Sequence, residues 1–229
     1  MAASPPQAPH ARWFSERHVQ IVVPQPGGAS RLFRHLAANP PVGLVDLVPA
    51  AESILLEFGP QVAHDDLLAE RLDALVRQWS ALPDPPPGPV QVVPFCADLD
   101  LAPDLHELAN ERSLDPRVLL ERFCATEFAV DFLGFMPGFA YLAGLPAELA
   151  APRLERPRTR VPAGSVGIGG DRAGIYPFDS PGGWRLIGRT PLALFDPTRT
   201  PPTLLTTGMR VRFSLISRSA FEAFAGGTP

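Results

Sequence analysis

A chain of 229 residues with 45% hydrophobic content can bury one large core or two modest ones. A formal net charge of −4 with 19% charged residues argues against a nucleic-acid protein, which needs clustered Lys and Arg to neutralise phosphates. Two cysteines, Cys96 and Cys124, form no C-x-x-C pair and have no His at metal-ligand spacing, so neither a disulfide scaffold nor a metal site is expected and a reducing cytoplasm is the expected compartment.

Residues 1–17 lack the apolar core of a signal peptide, carry Pro5, Pro6 and Pro9, and read as a flexible tail. Residues 18–23 read as a strand ended by Pro24 and by Pro26-Gly27-Gly28. Residues 31–38 predict a short helix that stops before Asn39-Pro40-Pro41. Residues 42–48 and 53–58 read as two strands flanking Pro49. Asp65 and Asp66 open a helix whose Leu68, Leu72, Leu75, Val76 and Trp79 recur at helical spacing, with the acids at the positive end of its dipole. Residues 18–82 therefore predict a small α/β domain. The run PDPPPGP at residues 83–89 reads as a semi-rigid linker and sets the expected boundary to a second domain at 90–229.

In that second domain residues 90–95 predict a strand, and 105–111 and 117–123 two short helices, the second opened by Asp115-Pro116. The acidic balance argues against using this pair as a DNA-binding helix-turn-helix. Beyond Phe128, short apolar runs alternate with Gly and Pro, the pattern of a barrel or sandwich. Proline supplies 29 residues, more than twice the usual ~5%, but these lie among Val, Ile, Leu and Phe, which favours a loop-rich β domain over disorder.

Four segments between Gly134 and Pro191 carry the functional signal. In GFMPGFAYL, Phe135 and Phe139 bracket a turn at Pro137-Gly138; the rings are either an aromatic wall beside a ligand or ordinary core. In PRTRVPAGSVGIGG, Arg158 and Arg160 stand two apart on a strand and so share a face, where they could clamp an anion, with the glycine run offering N–H groups as a cradle. The alternative is a plain strand–turn–strand with solvated arginines. Tyr176, Ser180 and Gly182-Gly183 supply hydroxyls and close backbone approach, and Arg189-Thr190 a further guanidinium and hydroxyl. All five histidines (His10, His18, His35, His64, His106) precede this region, and Ser165 lacks the strand-to-helix context of a nucleophile elbow. A serine hydrolase and metal-assisted hydrolysis are both disfavoured.

Together, GFMPGFAYL, PRTRVPAGSVGIGG, GIYPFDSPGGW and IGRTPLALFDP resemble the PxpB/KipI family, whose members are called the B subunit of 5-oxoprolinase or allophanate hydrolase subunit 1. The likeness covers roughly residues 90–216 and weakly reaches the passage from Gly43 to Glu57. It implies an α+β chain, a small N-terminal α/β domain followed by a cyclophilin-like β-barrel. It also implies a heteromer with a larger homologous C subunit (PxpC/KipA-like) and a contribution from an A subunit (PxpA-like). That complex opens the lactam of 5-oxoproline with ATP and Mg, which the partner is expected to bind in the main. On this resemblance Arg158, Arg160, Ser165 and Tyr176 are the expected catalytic residues. Phe135, Pro137, Gly138, Phe139, Ser180, Gly182, Gly183, Arg189 and Thr190 are the expected substrate-binding ones. The chain departs from the family in a compressed stretch at 18–41 and in carrying Phe123 and Phe128 where members often have His and Tyr. Two other implied functions are a KipI-like inhibitor of a histidine kinase and an allophanate hydrolase component. A prolyl isomerase rests on the barrel alone.

Overall fold

The computed structural model describes residues 8–62 and 66–225. They form two compact units divided between Pro86 and Pro87.

In the first unit, strands β1 (His10–Trp13), β2 (His18–Val22), β3 (Leu44–Pro49) and β4 (Ser53–Phe58) form one antiparallel sheet in the order β1-β2-β4-β3. The alternation along β2 and β4 puts Val19, Ile21, Ile54, Leu56 and Phe58 into the core. Helices α1 (Gly28–Ala38) and α2 (Asp66–Gln78) bring Leu32, Leu36, Leu72 and Val76 into the same core. Asp65 lies outside the described residues.

Two expectations are corrected here. The stretch from His10 is not tail: β1 pairs with β2, and Trp13 stacks on Phe58 with ring centroids 6.2 Å apart. Helix α1 begins at Gly28 rather than Arg31. Gly27 at φ 70° turns the chain into it, and a Cβ on Gly28 would lie 2.6 Å from Val23, so the glycines that read as a breaker are a close-packed helix start.

The second unit holds β5 (Val90–Phe95), α3 (Leu105–Glu111), α4 (Pro116–Ala125), β6 (Glu127–Leu133), β7 (Ala140–Ala143), β8 (Arg158–Val161), β9 (Ser165–Gly169), β10 (Arg172–Ile175), β11 (Ser180–Gly182), β12 (Arg185–Arg189), β13 (Arg210–Leu215) and α5 (Arg218–Ala225). Seven strands form a sheet in the order β12-β9-β10-β7-β6-β13-β5, with only β13 and β5 parallel. Its two edges rejoin: Cys96 N–H donates to the Arg189 carbonyl at 2.9 Å and Arg189 N–H to the Cys96 carbonyl at 2.8 Å. The sheet is therefore a barrel rather than a sandwich, and closure removes the exposed edges. Gly188 permits the seam, since a Cβ there would meet the Phe95 ring at 2.4 Å and the Cys96 carbonyl at 2.8 Å.

Val93, Val130, Leu142, Val166, Ile168 and Ile187 fill the interior, and α3 and α4 cap it through Leu105, Leu108 and Leu119. The α4 start follows its sequence signal: the Asp115 carboxylate accepts from Arg117 N–H at 2.8 Å, with Pro116 in the first turn. Phe95, Phe123, Phe128 and Phe213 form one aromatic knot with centroids 4.8–6.0 Å apart. Phe123 and Phe128 are fully buried members of it, so both positions serve packing. Strands β8 and β11 form a separate two-stranded ribbon. No described helix is long and apolar enough to cross a membrane.

Candidate functional site

Alternation along β9 sends Val166 and Ile168 into the barrel and leaves Gly167 and Gly169 on its other face. There they seat an indole. A Cβ on Gly169 would lie 2.5 Å from the Trp184 ring, and one on Gly174 2.9 Å from the same ring and 3.0 Å from Phe139. The glycine run is therefore not an anion cradle: its side-chain-free face is occupied by Trp184. Phe139 and Tyr141 meet that indole edge-on at 5.5 and 5.7 Å. With Val161, Tyr176 and Leu186 they make a second small core.

A cavity of about 240 Å³ opens on this aromatic group. Tyr176 lines it, itself 99% buried, beside the Gly182-Gly183 main chain. A Cβ on Gly182 would fall 2.4 Å from the Tyr176 hydroxyl, so only glycine lets the chain pass there. Burial pushes the Tyr176 phenol up from its ordinary value, and the Trp184 backbone N–H and then the Arg153 charge oppose that shift only in part. At neutral pH the group is a neutral hydrogen-bond donor and not a base.

Phe135 stands at the cavity, 62% exposed and with φ at 68°. Met136 N–H donates to the Gly134 carbonyl at 2.7 Å across it. This is the γ-turn of positive φ, the rarer and strained form, and it holds a bulky ring at the cavity. Pro137 lies exposed at the same turn, and Gly138 is buried at φ 82° against Phe195 and the Leu194 carbonyl; neither lines the cavity.

Arg153 completes the wall. Two contacts pin its segment: Ala151 and Gly170 exchange backbone hydrogen bonds at 3.0 and 2.7 Å, and Leu154 N–H donates to the Gly183 carbonyl at 2.7 Å. The Arg153 guanidinium then lies 5.8 Å from the Trp184 ring centre.

The expected arginine clamp is not assembled. Arg158 pairs with Asp104, a nearly fully buried carboxylate whose other oxygen accepts from Leu186 N–H at 2.6 Å. Arg160 pairs instead with Asp179 at 2.6 Å, and Asp179 also accepts from Ala163 N–H at 2.8 Å. The partner strand shifts register between Ser180 and Gly182, beside the two arginines. Arg189 donates through Nε to the Ala163 carbonyl at 2.6 Å. With Thr190 it borders a separate recess of about 370 Å³ that Phe221 also lines. Thr190 is buried and accepts from Leu192 N–H at 3.2 Å. Ser165 is also buried and donates to the Pro162 carbonyl at 2.7 Å, so its hydroxyl is a turn fastener and not a substrate contact. Among the described residues, Ser180 Oγ and Arg158 Nη1 are buried without a hydrogen-bond partner.

Phe135, Phe139, Tyr176, Gly182 and Gly183 thus converge on one cavity, while Arg189 and Thr190 border another. Sequence reasoning missed Arg153, Asp104 and Asp179. Arg153 sits among the arginines of PRLERPRTR with no periodicity to single it out, and the two acids pair across 54 and 19 residues. Among the described residues no group of three or more His, Cys, Asp or Glu is placed to hold a metal ion.

The family profile described as carboxyltransferase domain, subdomain C and D matches residues 12–205. Over 132 residues the chain is 46% identical to the B subunit of 5-oxoprolinase from Bacillus subtilis (strain 168), covering 58% of this chain and 55% of that protein. Over 111 residues it is 52% identical to the B subunit of 5-oxoprolinase from Escherichia coli O157:H7, covering 48% and 51%. The matches span about half the length of these curated relatives. A solved structure of a conserved uncharacterized protein from Pyrococcus horikoshii superposes with a TM-score of 0.57 at 32% identity, covering 93% of this chain and all of that one.

Proposed function

The chain belongs to the family of the carboxyltransferase domain, subdomain C and D, and from that premise we propose that it is the B subunit of a 5-oxoprolinase-type, ATP-dependent lactam hydrolase. The observation that carries this reading is convergence. Phe135, Phe139, Tyr176, Gly182-Gly183 and Trp184, drawn from motif segments scattered over fifty residues of sequence, enclose one small cavity with apolar walls and a neutral phenol. The two relatives named as the B subunit of 5-oxoprolinase support the same reading.

A lactam is a poor electrophile because its nitrogen lone pair is delocalised into the carbonyl. Phosphorylating the lactam oxygen turns it into a leaving group. With ADP released in that step, one water adds at the carbon, the tetrahedral intermediate collapses with cleavage of the C–N bond as the nitrogen takes up a proton, and a second water hydrolyses the resulting acyl phosphate to give glutamate and phosphate. In this scheme the aromatic walls hold the ring, Tyr176 donates a hydrogen bond to the lactam oxygen, and the Gly182-Gly183 backbone lets the ring approach closely. The phosphates of ATP with their Mg fall to the larger C subunit. This fits the donor set of the chain: Arg158 and Arg160 are already paired with carboxylates, and Arg189 is bonded to a carbonyl. An A subunit would complete the complex.

Co-expression with the larger C-subunit homologue tests the assignment. A stable heteromer on size exclusion is expected. A chain that elutes as a monomer in the presence of that partner would remove the reading's main support.

A further inference from the structure

We propose that Arg153 is the carboxylate-binding residue of the aromatic cavity, and that the cavity takes a small cyclic monocarboxylate. This deepens the lactam hydrolase reading and rests on it for the choice of ring. Ten other arginines of the barrel unit have acids among the described residues, among them Arg158 with Asp104, Arg160 with Asp179, Arg172 with Asp131 and Arg185 with Glu111. Arg153 has no acid partner among the described residues, although Leu154 and Ala151 on either side of it are tied down by backbone hydrogen bonds. A guanidinium carried on a fixed segment, beside an indole face and facing a cavity with no acid in its lining, is a site for an external anion.

The other walls narrow the ligand. Phe135, Phe139, Tyr141 and Trp184 are aromatic and suit a flat, largely apolar ring. The Tyr176 hydroxyl is a neutral donor suited to an amide oxygen. At about 240 Å³ the cavity is smaller than drug-sized pockets, which fits a ligand of roughly ten heavy atoms and leaves no space for a nucleotide. A five-membered lactam with one carboxylate places its charge at Arg153 and its amide at Tyr176. Arg153 is itself exposed, so it favours the carboxylate by a charge-assisted contact that the neutral analogue does not offer.

The test titrates the full chain, alone and in complex with its larger partner, with L-5-oxoproline and with 2-pyrrolidinone, the same lactam lacking the carboxylate. Indole emission reports binding, and Trp184→Phe assigns the signal. 5-Oxoproline is expected to bind at least about 10-fold more tightly than 2-pyrrolidinone. Arg153→Gln should weaken 5-oxoproline by about 10- to 100-fold and leave 2-pyrrolidinone unchanged, with Arg153→Lys restoring part of the difference. An unchanged ratio in Arg153→Gln, or no saturable binding of either compound in either preparation, overturns the inference. If the complex fails to hydrolyse 5-oxoproline while cyclopentanecarboxylate or L-proline binds in an Arg153-dependent way, the carboxylate site stands and the lactam hydrolase reading falls.

Discussion

Replacing Gly169 with Ala puts a methyl group 2.5, 2.6 and 2.8 Å from three atoms of the Trp184 indole. The ring is buried between Phe139 and Tyr141, so it cannot swing freely aside. Overpacking of this kind costs about 1–3 kcal/mol. Ala in place of Gly within a strand returns about 0.5–1 kcal/mol by restricting the unfolded chain, which leaves a net loss of up to about 2.5 kcal/mol. Gly170 is the control: nothing lies within 4 Å of its added Cβ, but its φ of 70° makes Ala unfavourable by about 1–2 kcal/mol through the backbone alone. Native-state hydrogen exchange, which resolves the barrel strands from the N-terminal unit, measures both. In a Trp184→Ala background the cost of Gly169→Ala should vanish and become a slight gain, while that of Gly170→Ala should persist. Equal costs for Gly169→Ala with and without the indole would refute the claim that the glycine run exists to seat Trp184.

Arg158→Ala should destabilise the barrel by about 3 kcal/mol because it strands the buried Asp104 carboxylate, whereas Arg160→Ala, whose side chain is 77% exposed, should cost less than about 1 kcal/mol; urea unfolding that ranks them the other way contradicts the assigned pairings. Asp179 is held below the ordinary carboxylate range, first by the Ala163 N–H and then by Arg160. A lowered folded value means stability present above the unfolded value and lost as pH falls through the folded one, so Asp179→Asn should be the less stable protein above about pH 4 and equal to the parent in stronger acid. Asp131 has the opposite sign, since burial outweighs Arg172 and raises it. As pH falls through its raised value the folded state takes up the proton first, so the penalty for ionising Asp131 disappears and its contribution to stability rises. Comparing the pH dependence of stability in Asp131→Asn with that of the parent should show this rise removed.

Most of the fold was legible because its signals are local. The period-two runs at 18–23 and 53–58, the helical spacing from Leu68 to Trp79 and the Asp115-Pro116 start each mapped onto an element within a few residues. The composition alone left barrel and sandwich open, and the barrel was legible only through the family resemblance, because closure depends on a two-residue bridge between Cys96 and Arg189 that no local pattern marks. The site divides the same way. The aromatics and glycines of GFMPGFAYL and SPGGW were recognisable as a group because each motif is contiguous. The arginines were misgrouped because sequence spacing shows which face a strand residue takes but not which distant acid meets it. Asp104 lies 54 residues from Arg158, and it decides that Arg158 is a structural cation and leaves Arg153 for the cavity.

The most direct measurement combines this chain, its larger C-subunit partner and an A subunit with ATP, Mg and 5-oxoproline, and quantifies glutamate and ADP. One ADP per glutamate, formed only when every component is present and slowed in Tyr176→Phe, is the expected result. A well-formed complex that releases ADP without glutamate, or turns over 5-oxoproline as well without this chain as with it, would contradict the assignment.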